Sequence, residues 1–112
     1  MSQLTTHILN TSQGRPAAGV AVFLYHLQNS HWVEITSGTT NEDGRIPELL
    51  PHSILLEHGQ YKLQFAVAPY FEQQLIEAFY PSIEIIFKVN SAEHYHVPLL
   101  LNPFGYSTYR GS

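Results

Sequence analysis

The sequence contains no cysteine, few charged side chains and no long apolar run. Without cysteine, the chain has no disulfide, no thiolate zinc site and no thiol nucleophile. Its five lysines and arginines stand against nine acidic residues, so it offers no basic patch and we expect no nucleic-acid partner. No apolar stretch is long enough to span a bilayer, and we expect no membrane partner. No signal peptide follows Met1, so a cytoplasmic protein is expected if Met1 is the native start.

The composition is that of a globular protein with a small charged fraction. A chain of 112 residues fits a single domain, residues 1–112, which can bury roughly two-thirds of its unfolded surface. Only 12% of the residues are charged, which favours an oligomer that covers part of the surface. The seven histidines outnumber the five lysines and arginines, and histidine suits both acid–base chemistry near neutral pH and metal binding.

Short segments of alternating apolar and polar residues predict a β-protein. Turn residues separate these segments at regular intervals, and one stretch, residues 70–79, has the spacing of a short helix. About eight strands with one helix favour an antiparallel β-sandwich. The predicted strands are residues 4–9, 19–26, 31–36, 46–51, 59–67, 82–89 and 94–101, with a last one after Gly105.

Two histidines fall on the outward faces of predicted strands. In the first strand, His7 lies on the face opposite to that of Leu4 and Ile8. In the strand that opens the final hairpin, His96 shares the outward face with Leu100, a mixture more typical of a surface covered by another subunit than of a solvated one. Taken singly, His7 is most simply an exposed strand histidine.

The other candidate side chains lie in predicted loops or at the ends of strands. A Glu-Asp-Gly turn at residues 42–44 is followed directly by Arg45, one of only five cations. Arginines in such loops are usually solvated, because loops lie on the surface. We expect the same exposed setting for His26, His31, His52 and His58.

Five segments together resemble the transthyretin-related 5-hydroxyisourate hydrolases. The resemblance covers essentially the whole chain, and Tyr-Arg-Gly-Ser at residues 109–112 is the feature that separates these hydrolases from true transthyretins. His7, Arg45 and His96 fall at positions that the family uses for catalysis. The matching segments are LTTHILNTxxGxPA at 4–17, TNxDGR at 40–45, FYP at 79–81, HYHVPLLL at 94–101 and YSTYRGS at 106–112.

This resemblance implies a transthyretin (prealbumin)-like antiparallel β-sandwich of two four-stranded sheets with one short helix. Two subunits would pair edge to edge, and two such dimers would pack face to face as a homotetramer with active sites at the dimer–dimer interface. In that fold the first strand and the final hairpin belong to one sheet. His7 and His96 could then approach each other, with the end of the chain beside them.

The implied reaction is hydrolysis of the cyclic amide of 5-hydroxyisourate to 2-oxo-4-hydroxy-4-carboxy-5-ureidoimidazoline, on the route from urate to allantoin. A neutral imidazole can activate water and later protonate the leaving nitrogen. Arginine can hold an electron-rich ring and stabilise an oxyanion. We expect His7 to be the general base, assisted by Ser112 through its hydroxyl or a terminal carboxylate, while His96 and Arg45 polarise the substrate. The expected substrate ligands are His7, Arg45, Tyr109 and Arg110, and no cofactor is expected.

Three other interpretations remain open. A transthyretin-like carrier of a small aromatic molecule would need an apolar channel with few acid–base groups, which the two histidines and the terminal motif argue against. A zinc site could use His7, His94 and His96, but local spacing fixes no third ligand beside the last two, and no metal is expected. A structural sandwich without chemistry is the third.

Overall fold

The computed structural model describes residues 2–112, which form a sandwich of two four-stranded sheets and confirm the predicted fold class. No helix in this range is long and apolar enough to cross a membrane. The strands are β1 (Leu4–Asn10), β2 (Arg15–Pro16), β3 (Ala21–Gln28), β4 (His31–Thr39), β5 (Gly59–Ala66), β6 (Ile83–Val89), β7 (Tyr95–Asn102) and β8 (Gly105–Thr108), with one helix, α1 (Ala68–Glu72), between β5 and β6.

The core lies between the sheets, and each inner strand contributes every second side chain to it. Buried and half-buried residues alternate along β1 and along most of β3, as a period of two requires. The largest fully buried side chains include Tyr61, Phe65 and Phe71. Each large apolar side chain buried here stabilises the fold by about 1.5–3 kcal/mol. The alternate residues point outward and are free to form a site.

The first sheet has the order β2-β1-β7-β8 and the second has the order β4-β3-β5-β6. The first strand and the final hairpin therefore lie in one sheet. The neighbours β1 and β7 run parallel, with Thr5 opposite His96 and His7 opposite Pro98. The other pairs of these strands are antiparallel, so the sandwich departs from a purely antiparallel one at the centre of this sheet.

The helix ends earlier than the predicted range, residues 70–79. Beyond its last residue, the N–H of Leu75 donates to the carbonyl of Glu72 and the N–H of Ile76 donates to that of Phe71, both at 3.0 Å. This is a Schellman motif, in which glycine usually takes the left-handed position. Here Leu75 takes it with φ 58°. Ending the helix at this point lets Ile76 pack against the core that contains Phe71, which the spacing of apolar residues did not indicate.

The predicted strand at residues 46–51 is wrong. The number of strands is nevertheless eight, because the two-residue strand β2 was not predicted. The segment forms a turn in which the N–H of Leu49 donates to the carbonyl of Ile46 at 3.3 Å. Glu48 adopts φ 58°, and the two prolines of the segment cannot donate to a ladder. Leu49 and Leu50 are nevertheless buried, so the turn adds apolar side chains to the core.

The expectation that His26 is solvated is wrong as well. Its imidazole is buried and stacks on the ring of Tyr61, with centroids 4.3 Å apart. Its Nδ1 lies 3.1 Å from the side-chain nitrogen of Gln28. Because β3 extends two residues past the predicted end, His26 lies within the strand on its inward face. The other three of these histidines, His31 at the start of β4 and His52 and His58 in the connection to β5, are exposed as expected.

Candidate active site

The outward side of the β1–β7 pair carries both strand histidines, and we call it the outer face. His7 lies on β1 and His96 on β7, one register step apart on this face, because His96 is opposite Thr5 and His7 is opposite Pro98. Both imidazoles are half-buried. The residues that define the outer face are Thr5, His7, Leu9, His94, His96, Pro98 and Leu100.

A tight loop brings Arg45 to this face. The side-chain oxygen of Asn41 accepts hydrogen bonds from the backbone N–H groups of Asp43 and Arg45, at 2.9 and 3.1 Å, which closes the loop. The carbonyl of Gly44 then accepts a hydrogen bond of 2.9 Å from the N–H of Ile8. The result is an antiparallel backbone bridge between His7 and Arg45.

Gly44 is required for that approach. Its φ is +74°, a conformation that side chains with a Cβ rarely adopt. A Cβ at this position would press against the carbonyl oxygen of Ile8 and lie 3.3 Å from Cδ2 of His7. The absence of a side chain thus allows the loop to lie directly against β1.

The end of the chain reaches the outer face from the opposite side. The N–H of Gly111 donates to the carbonyl of His96 at 2.8 Å, which forms a second isolated bridge. A Cβ on Gly111 would lie 2.5 Å from Cδ2 of His96, so the backbone lies flat against the imidazole. Ser112 follows directly and is exposed. His7, Arg45, His96 and the Gly111–Ser112 segment are therefore brought together.

The side chains of Tyr109 and Arg110 point elsewhere. Both line a cavity of about 390 Å³ between the sheets, whose wall includes Tyr95. The guanidinium of Arg110 lies 4.3 Å from the centroid of the Tyr95 ring and 4.0 Å from the carboxylate of Glu93. It also donates a long hydrogen bond of 3.4 Å to the carbonyl of His94. Of the predicted ligands, these two lie away from the outer face.

The surroundings hold both strand imidazoles in the neutral form. Burial lowers the pKa of His7, and the nearby charge of Arg45 lowers it further, against an opposing effect of Asp43. Burial likewise lowers the pKa of His96, followed by the charges of Arg45, His94 and His7. Near pH 7 both rings are therefore neutral, which a general base and a neutral hydrogen-bond donor require.

The described part of the chain offers no metal centre. No group of three or more His, Cys, Asp or Glu side chains within residues 2–112 is placed to hold a metal ion. A hydroxyl instead lies between the two histidines at the start of β7, since Oγ1 of Thr5 is 2.9 Å from Nε2 of His94 and 2.8 Å from Nδ1 of His96. This contact fixes both rings without a cation.

Comparison with known sequences decides the family. The sequence model of the HIUase/Transthyretin family matches residues 4–111. The chain belongs to the HIUase/Transthyretin family. It is 44% identical over 114 residues to the 5-hydroxyisourate hydrolase of Mesorhizobium japonicum, and the match covers 98% of this chain and 92% of that protein.

Solved structures similar to this family member include both a 5-hydroxyisourate hydrolase and a transthyretin. The 5-hydroxyisourate hydrolase of Klebsiella pneumoniae superimposes with a TM-score of 0.84 at 35% identity, over 97% of this chain and 98% of the other. Sea bream transthyretin in complex with thyroxine gives a TM-score of 0.91 at 28% identity, over 97% and 94% of the two chains. Both superimpose closely on this chain, so backbone similarity alone does not separate a hydrolase from a transthyretin. The side chains of the site must distinguish them.

Sequence reasoning did not identify Thr5 as part of the site. Threonine is common in strands, and nothing in its local pattern distinguishes Thr5 from its neighbour Thr6. The two differ by face: Oγ1 of Thr6 donates to the carbonyl of Val97 at 2.7 Å inside the sandwich, whereas Thr5 is on the outer face. Only the register between β1 and β7 places the Thr5 hydroxyl beside His96.

Proposed function

We propose that this member of the HIUase/Transthyretin family is a 5-hydroxyisourate hydrolase. It would open the cyclic amide of its substrate to give 2-oxo-4-hydroxy-4-carboxy-5-ureidoimidazoline, on the route from urate to allantoin. The observation that carries the proposal is the convergence of two neutral imidazoles and one guanidinium on the outer face, where the backbone bridges to His7 and His96 hold them. An apolar carrier site has no need of that set of groups.

The relatives support this choice over a carrier. The similar protein of Mesorhizobium japonicum carries the name of the hydrolase, and the alignment leaves almost none of either chain unmatched. The Klebsiella hydrolase has a higher sequence identity to this chain than sea bream transthyretin has, although the transthyretin superimposes slightly better. Sequence identity reflects side chains, and side chains determine the chemistry on a shared fold.

In the proposed reaction, His7 takes a proton from water while the water oxygen bonds to the amide carbon. Negative charge then develops on the carbonyl oxygen, and Arg45 and His96 stabilise it. When the carbon–nitrogen bond breaks, protonated His7 returns its proton to the leaving nitrogen, so that the enzyme is regenerated. Ser112 assists by orienting His7. No covalent intermediate is needed.

Tyr109 and Arg110 remain proposed substrate ligands. Tyr109 is 59% exposed, and the two polar contacts of Arg110 are long, at 3.4 and 4.0 Å, with the side chain itself exposed. Such contacts contribute little stability. Turning the guanidinium towards a bound ligand would give up only these contacts and its stacking on Tyr95, 4.3 Å away, and it would come from the same terminal segment whose Gly111 lies against His96.

We further propose a homotetramer, as a dimer of dimers that encloses the outer faces. Leu9 and Leu100 are half-buried on that face beside the imidazoles, and the edge strand β6 leaves Ile86 57% exposed. Packing two outer faces together would exclude water from the site and strengthen its electrostatic interactions. Sedimentation of the intact chain tests this, and a monomer at assay concentration would refute it.

The decisive experiment follows the ultraviolet decay of 5-hydroxyisourate generated in place from urate by urate oxidase. The intact chain should accelerate the decay, whereas a chain truncated after Thr108 should leave the spontaneous rate. His7→Asn should also be inactive, and His31→Asn, which changes an exposed hairpin histidine, is the matched control. Spontaneous decay with the folded intact chain would reject the hydrolase and favour the carrier. If the residual rate of His96→Asn no longer fell on acidification while that of His7→Asn still did, the assignment of the base would be wrong.

A further inference from the structure

The hydroxyl of Thr5 bridges two imidazole nitrogens. Its oxygen lies 2.9 Å from Nε2 of His94 and 2.8 Å from Nδ1 of His96, both within hydrogen-bonding distance. The arrangement follows from the fold: Thr5 is opposite His96 in the parallel register, and His94 and His96 are two residues apart on one face. The two rings are nearly parallel, with an interplanar angle of 21° and centroids 6.3 Å apart.

A hydroxyl has one proton to donate, and two arrangements are possible when Thr5 gives that proton to one of the two rings. If Thr5 donates to His96, then Nδ1 of His96 is bare, its proton is on Nε2, and His94 must donate its own Nε2–H to Thr5. If Thr5 donates to His94 instead, both rings carry their protons on Nδ1. In each of these two arrangements the two imidazoles are coupled, and the tautomer of one determines that of the other.

We propose that Thr5 and His94 are positioning residues that hold His96 in the Nε2–H tautomer. Of the two coupled arrangements, this one places the proton of each ring on Nε2, which is the more stable position in an unconstrained histidine. It leaves a neutral N–H on the side of His96 that Thr5 does not contact. The chain Nε2–H of His94, O–H of Thr5 and Nδ1 of His96 then resembles the way in which a second group fixes a histidine in other hydrolytic sites.

The effect of this tautomer on catalysis rests on the proposed hydrolase activity. A neutral Nε2–H can donate to the carbonyl oxygen of the substrate as negative charge develops on it, whereas a bare nitrogen would repel that oxygen. Thr5 and His94 touch no reacting atom in this scheme. They determine which face of the His96 imidazole is a donor.

Nuclear magnetic resonance of the histidine rings tests the tautomer without any substrate. Long-range proton–nitrogen correlation at pH 8 should show Nδ1 of His96 as a bare nitrogen and Nε2 as a protonated one. In Thr5→Val, which keeps the β-branched shape and removes the hydroxyl, some of the Nδ1–H form should appear, so both nitrogens should shift part of the way towards mixed values while Nε2–H stays the major form. Thr5→Ser should restore the wild-type pattern. A wild-type His96 protonated on Nδ1, or a pattern unaltered in Thr5→Val, would overturn the proposal.

Variants of His94 provide a second test with a matched pair. The amide nitrogen of glutamine can take the place of Nε2, so His94→Gln should keep a donor to Thr5 and the wild-type tautomer of His96. His94→Leu fills a similar volume without a donor and should give the same mixed tautomers as Thr5→Val. Identical spectra from both variants would mean that His94 does not hold the hydroxyl.

Kinetics separate this inference from the proposed function. If the chain hydrolyses 5-hydroxyisourate, Thr5→Val and His94→Leu should lower kcat by about 10-fold with little change in KM, because the missing donor acts mainly in the transition state. Thr5→Ser and His94→Gln should stay near wild type. An inactive wild-type protein with His96 in the Nε2–H form would reject the hydrolase and keep the tautomer assignment. An active enzyme with His96 protonated on Nδ1 would keep the hydrolase and reject the tautomer assignment.

Discussion

Replacing Gly44 by alanine tests how the Arg45 loop is held against β1. Gly44 has φ +74°, and a Cβ there would press on the carbonyl oxygen of Ile8 and lie 3.1 Å from Cβ of Pro16. Gly14 is a matched control, because it has a similar φ of +66° and a Cβ there would meet nothing within 4 Å. The difference between Gly44→Ala and Gly14→Ala therefore isolates the close approach of the loop from the left-handed backbone conformation.

The structure sets the expected size of each effect. A left-handed conformation costs alanine roughly 1–2 kcal/mol, and restricting the unfolded chain offsets about 0.4–1 kcal/mol of this, so Gly14→Ala should destabilise by about 1 kcal/mol. Gly44→Ala has the same contribution, and in addition its Cβ must displace the carbonyl of Ile8 beside the 2.9 Å hydrogen bond from the N–H of Ile8 to Gly44. Forcing a methyl group into such a contact typically adds about 1–3 kcal/mol, so about 3 kcal/mol in total is expected.

Thermal unfolding followed by circular dichroism measures both variants. The unfolding entropy per residue, taken over a chain of this length, makes 1 kcal/mol worth about 4 °C in Tm. Gly14→Ala should then lower Tm by about 4 °C and Gly44→Ala by about 12 °C. Activity of Gly44→Ala, measured where it is still folded, should fall because Arg45 moves away from His7. Equal values of Tm for the two variants would refute the close approach as a determinant of the site.

Three further outcomes are expected. Gly111→Ala should displace the imidazole of His96, because the added Cβ would lie 2.5 Å from Cδ2 of that ring. We expect kcat/KM to fall with little change in Tm. Gly105→Ala is the control and should change neither quantity, because its Cβ would have only contacts of 3.7 Å. Because the pKa values of His7 and His96 are lowered from 6.5, activity should be lost only below pH 6.5. The stability that the neutral rings contribute should be complete above that pH and should decrease on acidification. A loss of activity or of stability that begins above pH 7 would contradict these expectations. Leu75→Gly should raise Tm by several degrees, because glycine removes the cost, about 1 kcal/mol, of holding an exposed leucine at φ 58°. A lower Tm would show that the leucine contacts a partner.

The pattern of alternating residues was sufficient to predict the strands that carry the site. Every second residue of β1 is buried, which leaves His7 outward as predicted. The two flanking strands, 19–26 and 31–36, were also predicted from this pattern, and the turn between β3 and β4 has positive φ at Asn29 and Ser30, as a two-residue hairpin turn requires. These features depend on neighbours in sequence, and local patterns report on those directly.

Features that depend on distant contacts were not predictable from local patterns. The end of α1 depends on whether Ile76 reaches the core, and the burial of His26 depends on its stacking with Tyr61 on the neighbouring strand. The resemblance to the family indicated Arg45 as a catalytic position, but it did not indicate the contact through Gly44 that places it. The role of Thr5 required the register of two strands that are far apart in sequence.

The parallel pairing of β1 with β7 also determines when the outer face can form during folding. Contacts such as that between Thr6 and Val97 join residues 91 positions apart, and closing a flexible loop of that length costs about 4 kcal/mol in chain entropy, apart from a constant. The hairpin of β3 and β4 closes across two residues and should form much earlier. Pulse-labelled hydrogen exchange should therefore detect protected backbone amides in the second sheet before it detects them in β1. A partly folded chain would then contain the second sheet while His7 and His96 were still apart.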